Sequence, residues 1–125
     1  LEQAQLLLAA SRDGILTCHE DVLSREAYVY SFEPSQVPGR FSLDLRDTLS
    51  GYFPIAADGE IDECPVKDGL IFNHFDTSFE ACLVRSGARV GACTETPALQ
   101  NFDQRVLANS AVMTHFLALC APLCD

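Results

Sequence analysis

Six cysteines, at positions 18, 64, 82, 93, 120 and 124, constrain this 125-residue chain more than any other feature. An even number in so short a chain predicts three disulfides, because extracellular thiols oxidise while cytosolic thiols are held reduced. The expectation is a secreted, cross-linked protein. Cys120 and Cys124 are separated by three residues, but no second close cysteine pair and no histidine pair at ligand spacing accompanies them, so no metal site is read from the pattern.

The remaining composition suits one globular unit spanning 1–125: 48% hydrophobic and 21% charged residues, with eight Phe and three Tyr, at a length that buries most of its surface. Eighteen acidic against eight basic residues give a net charge of −10. Such a surface repels a phosphate backbone or an anionic bilayer, which excludes nucleic acid as a partner. The longest apolar stretch, Ala111 to Leu123, is broken by Thr114, His115 and Pro122, and membrane insertion is not expected. Leu1 opens without a basic n-region or cleavage motif, which is read as a leader already removed or never included.

Periodicity gives the elements. Leu1 to Arg12 has helical spacing and stops at Gly14. Thr17-Cys18-His19-Glu20 matches a capping box and predicts a short helix to Ser24. Tyr28, Tyr30 and Phe32 alternate as in a strand. Phe41, Leu43 and Leu45 do the same, although Ser42 could instead cap a helix running through Leu49 to Gly51. Tyr52 to Asp68 reads as an irregular acidic loop and Leu70-Ile71-Phe72 as a buried strand. The segment from Cys82 to Cys93 reads as a hairpin about Gly87-Ala88. Thr96 and Pro97 open a long helix that runs to Cys120, becomes apolar all round past Ala111 and is therefore expected to be buried, with Pro122 ending it.

The hairpin sets Cys82 opposite Cys93 and predicts a bridge between them, because facing residues of an antiparallel ladder lie within the span a disulfide tolerates. Cys120 and Cys124 are then expected to tie separately to Cys18 and Cys64, with the pairing open. The acidic run Asp58 to Glu63 does not align with a calcium loop: with Gly59 as the turn glycine, the first, third and twelfth positions fall on Pro54, Ala56 and Pro65. His19, His74 and His115 carry no catalytic spacing, and no nucleophile elbow, His-Glu-x-x-His or phosphate loop is present. No family is recognised.

The expected fold is α+β: a small, mostly antiparallel sheet against a long C-terminal helix and a shorter N-terminal one covering part of the same core, stapled by disulfides. With no catalytic set in view, the first functional expectation is a secreted, non-enzymatic interaction protein whose partner is a protein or receptor, without cofactor. The second is an extracellular carrier of a small apolar ligand, held by Tyr28, Tyr30, Phe32, Phe72, Phe75, Phe79 and Phe116. The third is a small secreted hydrolase using His74 or His19.

Overall fold

The structure is a computed structural model that describes residues 2–121. Four helices surround a mixed sheet in the order α1 (Glu2–Ala10), β1 (Ile15–Asp21), β2 (Tyr28–Phe32), α2 (Arg40–Ser50), β3 (Gly59–Ile61), β4 (Cys64–Val66), β5 (Leu70–Phe72), α3 (Phe79–Arg85), β6 (Gly91–Pro97) and α4 (Phe102–Cys120). The main sheet has the strand order β1-β6-β2-β5; β3 and β4 form a separate hairpin. β1 runs parallel to β6 and β5 parallel to β2, and only the central β2–β6 pair is antiparallel. The α+β expectation is met in its elements, but the sheet is mixed where a mostly antiparallel one was expected.

Each sheet face has its own cluster. Val29 and Ala92 point to one side, where Leu45 and Leu49 of α2 and Ala108 and Val112 of α4 cover them. Tyr28 and Ile71 point to the other, packed with Ala56, Cys64 and Val66 beside the β3–β4 hairpin. This is the period-two alternation of strands, with both faces used. Asp62 and Glu63, at φ 48° and 64°, turn the β3–β4 hairpin with the paired positive φ of a type I′ turn, inside the segment expected to be irregular.

Three local expectations give way. The capping box at Thr17 does not start a helix: β1 pairs along its whole length with β6, the Thr17 hydroxyl donates to Glu80, and the Glu20 carboxylate meets Arg105. A long ladder outweighs a short helix with its costly nucleus. Phe41 to Leu45 belongs to α2, the alternative opened by the sequence, and buries Phe41, Leu45 and Leu49 at helical spacing. Its N-terminus is capped from outside, because Glu33 Oε2 accepts from the backbone N–H groups of Gly39 and Ser42 at 2.9 and 3.2 Å. The expected Cys82–Cys93 hairpin is instead helix α3 followed by strand β6. Ser78 caps α3 by accepting from the Ala81 N–H, and Glu80 and Arg85 suit the two ends of its dipole.

The disulfide framework is overturned with it. None of the five described cysteines is bonded to another. Cys82 is exposed on α3 while Cys93 is buried on β6, and Cys18 alternates to the sheet face opposite Cys93. Cys64 packs beside the hairpin, Cys120 ends α4, and Cys124 lies outside the described residues. The inference to an oxidising compartment rested on those bridges and loses that ground.

The long helix begins at Phe102, capped by Asn101, because Thr96 and Pro97 extend the central strand β6 alongside Asp21. Only Ala108, Val112 and Cys120 of α4 are buried, so it is not the enclosed helix expected; Pro122 lies outside the described residues. The N-terminal helix is present, but α1 contributes no buried residue to the core it was expected to cover. Among the described residues, no helix is long and apolar enough to cross a membrane.

Candidate functional site

The register of three strands writes the site. Opposite residues place Thr17, Cys93 and Tyr30 on one rung across β1, β6 and β2, and His19, Glu95 and Tyr28 on the rung two residues along. Alternation puts both rungs on the same face. α3, a helix of seven residues, packs against β1 and β6, and on the second rung His19 is exposed while Tyr28 is buried.

His19, Cys93 and Glu95 converge there, each offering one donor atom within 4.8 Å of the others. His19 Nδ1 is 3.9 Å from Glu95 Oε1, and the Cys93 thiol donates toward the same oxygen at 3.7 Å. The imidazole faces solvent, whereas Cys93 is buried and the Glu95 side chain is only 13% exposed. Burial is the main reason the Glu95 carboxyl is raised above its ordinary value, with His19 acting in the opposite direction. Burial also pushes the Cys93 thiol up to about 12. A nitrogen, a sulfur and an oxygen donor this close together are a set able to hold a divalent metal ion.

Around these three the cleft has a volume of about 200 Å³ and is walled by Tyr30, Asp76, Ser78 and Glu80. Glu80 is a buried carboxylate, 4% exposed, held by the Thr17 hydroxyl. Asp76 accepts the Ser78 N–H at 2.8 Å, and its hydrogen bonds with Ser78 hold its carboxyl below the usual range. Burial, and after it the neighbouring Cys64 thiol, raise the Tyr30 hydroxyl above its ordinary value. A larger cleft, of about 470 Å³, lies elsewhere and is lined by Leu43, Arg46, Lys67, Leu70 and Phe72; among the described residues no cluster of metal-ligating groups lies in it.

Of the histidines singled out in the sequence, His19 lies in the cluster. His74 acts on Asp76 at the edge of the cleft, and His115 is exposed on α4 beside Asp44 and Asp47. The seven aromatic residues expected to hold an apolar ligand are spread over several places in the fold. Tyr28 and Tyr30 stack edge to face within the cluster beside the hairpin, Phe32 packs on Phe75, and Phe116 packs on Phe41 across the sheet. Phe79 is exposed at the start of α3 and Phe72 borders the large cleft. The sequence singled out Cys93 only as a disulfide partner and Glu95 not at all. The signal was present in their one-apart alternation, but it acquires meaning only when His19 is known to pair with Glu95.

No protein-family model and no curated protein matches the chain. Solved structures do. A "putative metallopeptidase" from Shewanella baltica OS155 is 93% identical, with a TM-score of 0.94, over 96% of this chain and 45% of its own. Proteins of the same description from Shewanella denitrificans OS217 and Shewanella amazonensis SB2B are 73% and 68% identical, with TM-scores of 0.93 and 0.94, each over 97% of this chain and 46% of its own. The chain thus spans less than half the length of the chains it resembles. The expectation of a non-enzymatic interaction protein is corrected by these likenesses: chains 68–93% identical to this one carry an enzyme's name, and the hydrolase reading, placed third on the sequence, is the one they favour.

Proposed function

We propose that this chain forms part of a metal-dependent peptide hydrolase and that His19, Cys93 and Glu95 are its metal-holding residues. The observation that carries the reading is the convergence of three different donor atoms on the open face of the sheet, in a chain whose near-identical relatives are described as metallopeptidases. The donor set fits a borderline-soft divalent ion such as zinc, which favours imidazole and thiolate nitrogen and sulfur and accepts a carboxylate. When bound, such an ion polarises a carbonyl and lowers the pKa of water.

The chain's own residues supply the setting. Tyr30 offers a protonated hydroxyl on the cleft wall, suited to donate to a carbonyl oxygen. Asp76, whose carboxyl is held below its ordinary value, lines the same cleft and can accept a proton or orient an amine. At about 200 Å³ the cleft admits one side chain or one peptide unit rather than a folded substrate.

Titration of the metal-free protein with zinc, followed by calorimetry, tests this directly. One equivalent bound, and lost in Cys93→Ser and His19→Ala, is the expected result. Unchanged binding in both variants places the ion elsewhere and removes these residues from the reading.

A further inference from the structure

α4 carries two apolar stripes. One, with Ala108 and Val112, is buried against the sheet. The other runs through Phe102, Val106, Met113 and Leu117, which at 3.6 residues per turn fall within about 60° of one another. They are 64, 48, 49 and 68% exposed.

α1 has the same deficit. It is nine residues long, buries nothing, and exposes Leu6, Leu7 and Leu8. A helix this short is marginal in water without tertiary cover. The turn after α1 comes close to the end of α4: a Cβ on Gly14 would lie 2.7 Å from Cys120 Sγ and 3.2 Å from the Phe116 ring. Scattered single apolar residues are normal on a monomer, but an exposed apolar stripe along a helix marks an interface.

We propose that α1 and the outer stripe of α4 form one docking surface for the polypeptide corresponding to the part of the Shewanella chains that this chain does not match. The occupant presents an apolar face. Length argues for this partner over others. The S. baltica chain is 93% identical where it matches, and that match is 45% of it, so more than half of that chain lies outside the match. The inference is independent of the metal reading.

Hydrogen exchange of this chain and of the whole S. baltica chain, compared amide by amide, tests it. In the longer protein α1 and the outer half of α4 are expected to exchange at least tenfold more slowly, while α2 and β6 match. Equal exchange in α1 and α4 overturns the proposal. So does a dimer of this chain in light scattering that Leu117→Glu converts to monomer, because a second copy then fills the surface. Val106→Glu with Leu117→Glu in the S. baltica chain should restore fast exchange to α1 while α2 and β6 stay protected, which separates lost docking from lost folding.

Discussion

His19 Nδ1 stands 3.9 Å from Glu95 Oε1 because the two residues are partners on one rung of the parallel β1–β6 ladder. Two residues earlier on β6, Cys93 enters the same face, so the cluster follows from the register and not from any loop. A one-residue slip of β1 would send His19 to the opposite face and dissolve it.

Cobalt provides a spectroscopic reading of that cluster. The cobalt-loaded protein is expected to show a thiolate charge-transfer band that Cys93→Ser removes, and Glu95→Gln should weaken metal binding by about tenfold or more. Titration followed by absorbance checks both, and a band that persists in Cys93→Ser contradicts the assignment.

Thr17 holds the buried Glu80 carboxylate through its hydroxyl. Thr17→Val keeps the shape and removes the donor, leaving a buried acceptor unmet. The expected loss is about 1–3 kcal/mol in urea unfolding, and Thr17→Ser should recover most of it. A neutral Thr17→Val would show that Glu80 reaches water in solution.

Gly69 has φ +74°, and a Cβ there would collide with Ile55 Cγ2. Strain and overlap act together, so Gly69→Ala is expected to destabilise by about 2–4 kcal/mol, more than the same change at the open Gly59. Thermal unfolding of the two variants side by side decides between them.

Asp76 has a carboxyl pKa below its ordinary value because of its hydrogen bonds with Ser78 next to the α3 cap. A lowered folded-state value means that the stabilisation is complete above the unfolded value of about 3.9 and is lost as pH falls through the folded one. Urea midpoints should therefore drop more steeply in acid for the wild type than for Asp76→Asn. Parallel curves would remove Asp76 from the acid response. Ser78→Ala, which takes away the cap, is expected to cost about 1 kcal/mol at neutral pH.

Much of the fold could be read along the chain where one period had no competitor. The alternation of Tyr28, Tyr30 and Phe32 is strand β2, Leu70 to Phe72 is β5, and Leu1 to Arg12 contains α1. Phe41 to Leu49 satisfied both periods at once, and burial of Leu45 and Leu49 under the sheet resolved it. Thr17 to Glu20 and Cys82 to Cys93 were misread for a shared reason. Local signals, a capping box and a glycine turn, competed there with pairing partners more than seventy residues away or with a cap at Ser78.

The sequence by itself determined the α+β class, the identity of the strands with clean alternation, and the net charge of −10, because these depend on residue type and on neighbours within a few positions. Only the tertiary structure decided that the five described cysteines form no bonds with one another and that His19, Cys93 and Glu95 stand together. Both are matters of which strand lies beside which, and in what register. Parallel pairing of β1 with β6 joins segments from opposite ends of the chain, a long-range choice set by burial of whole faces and not by any local pattern.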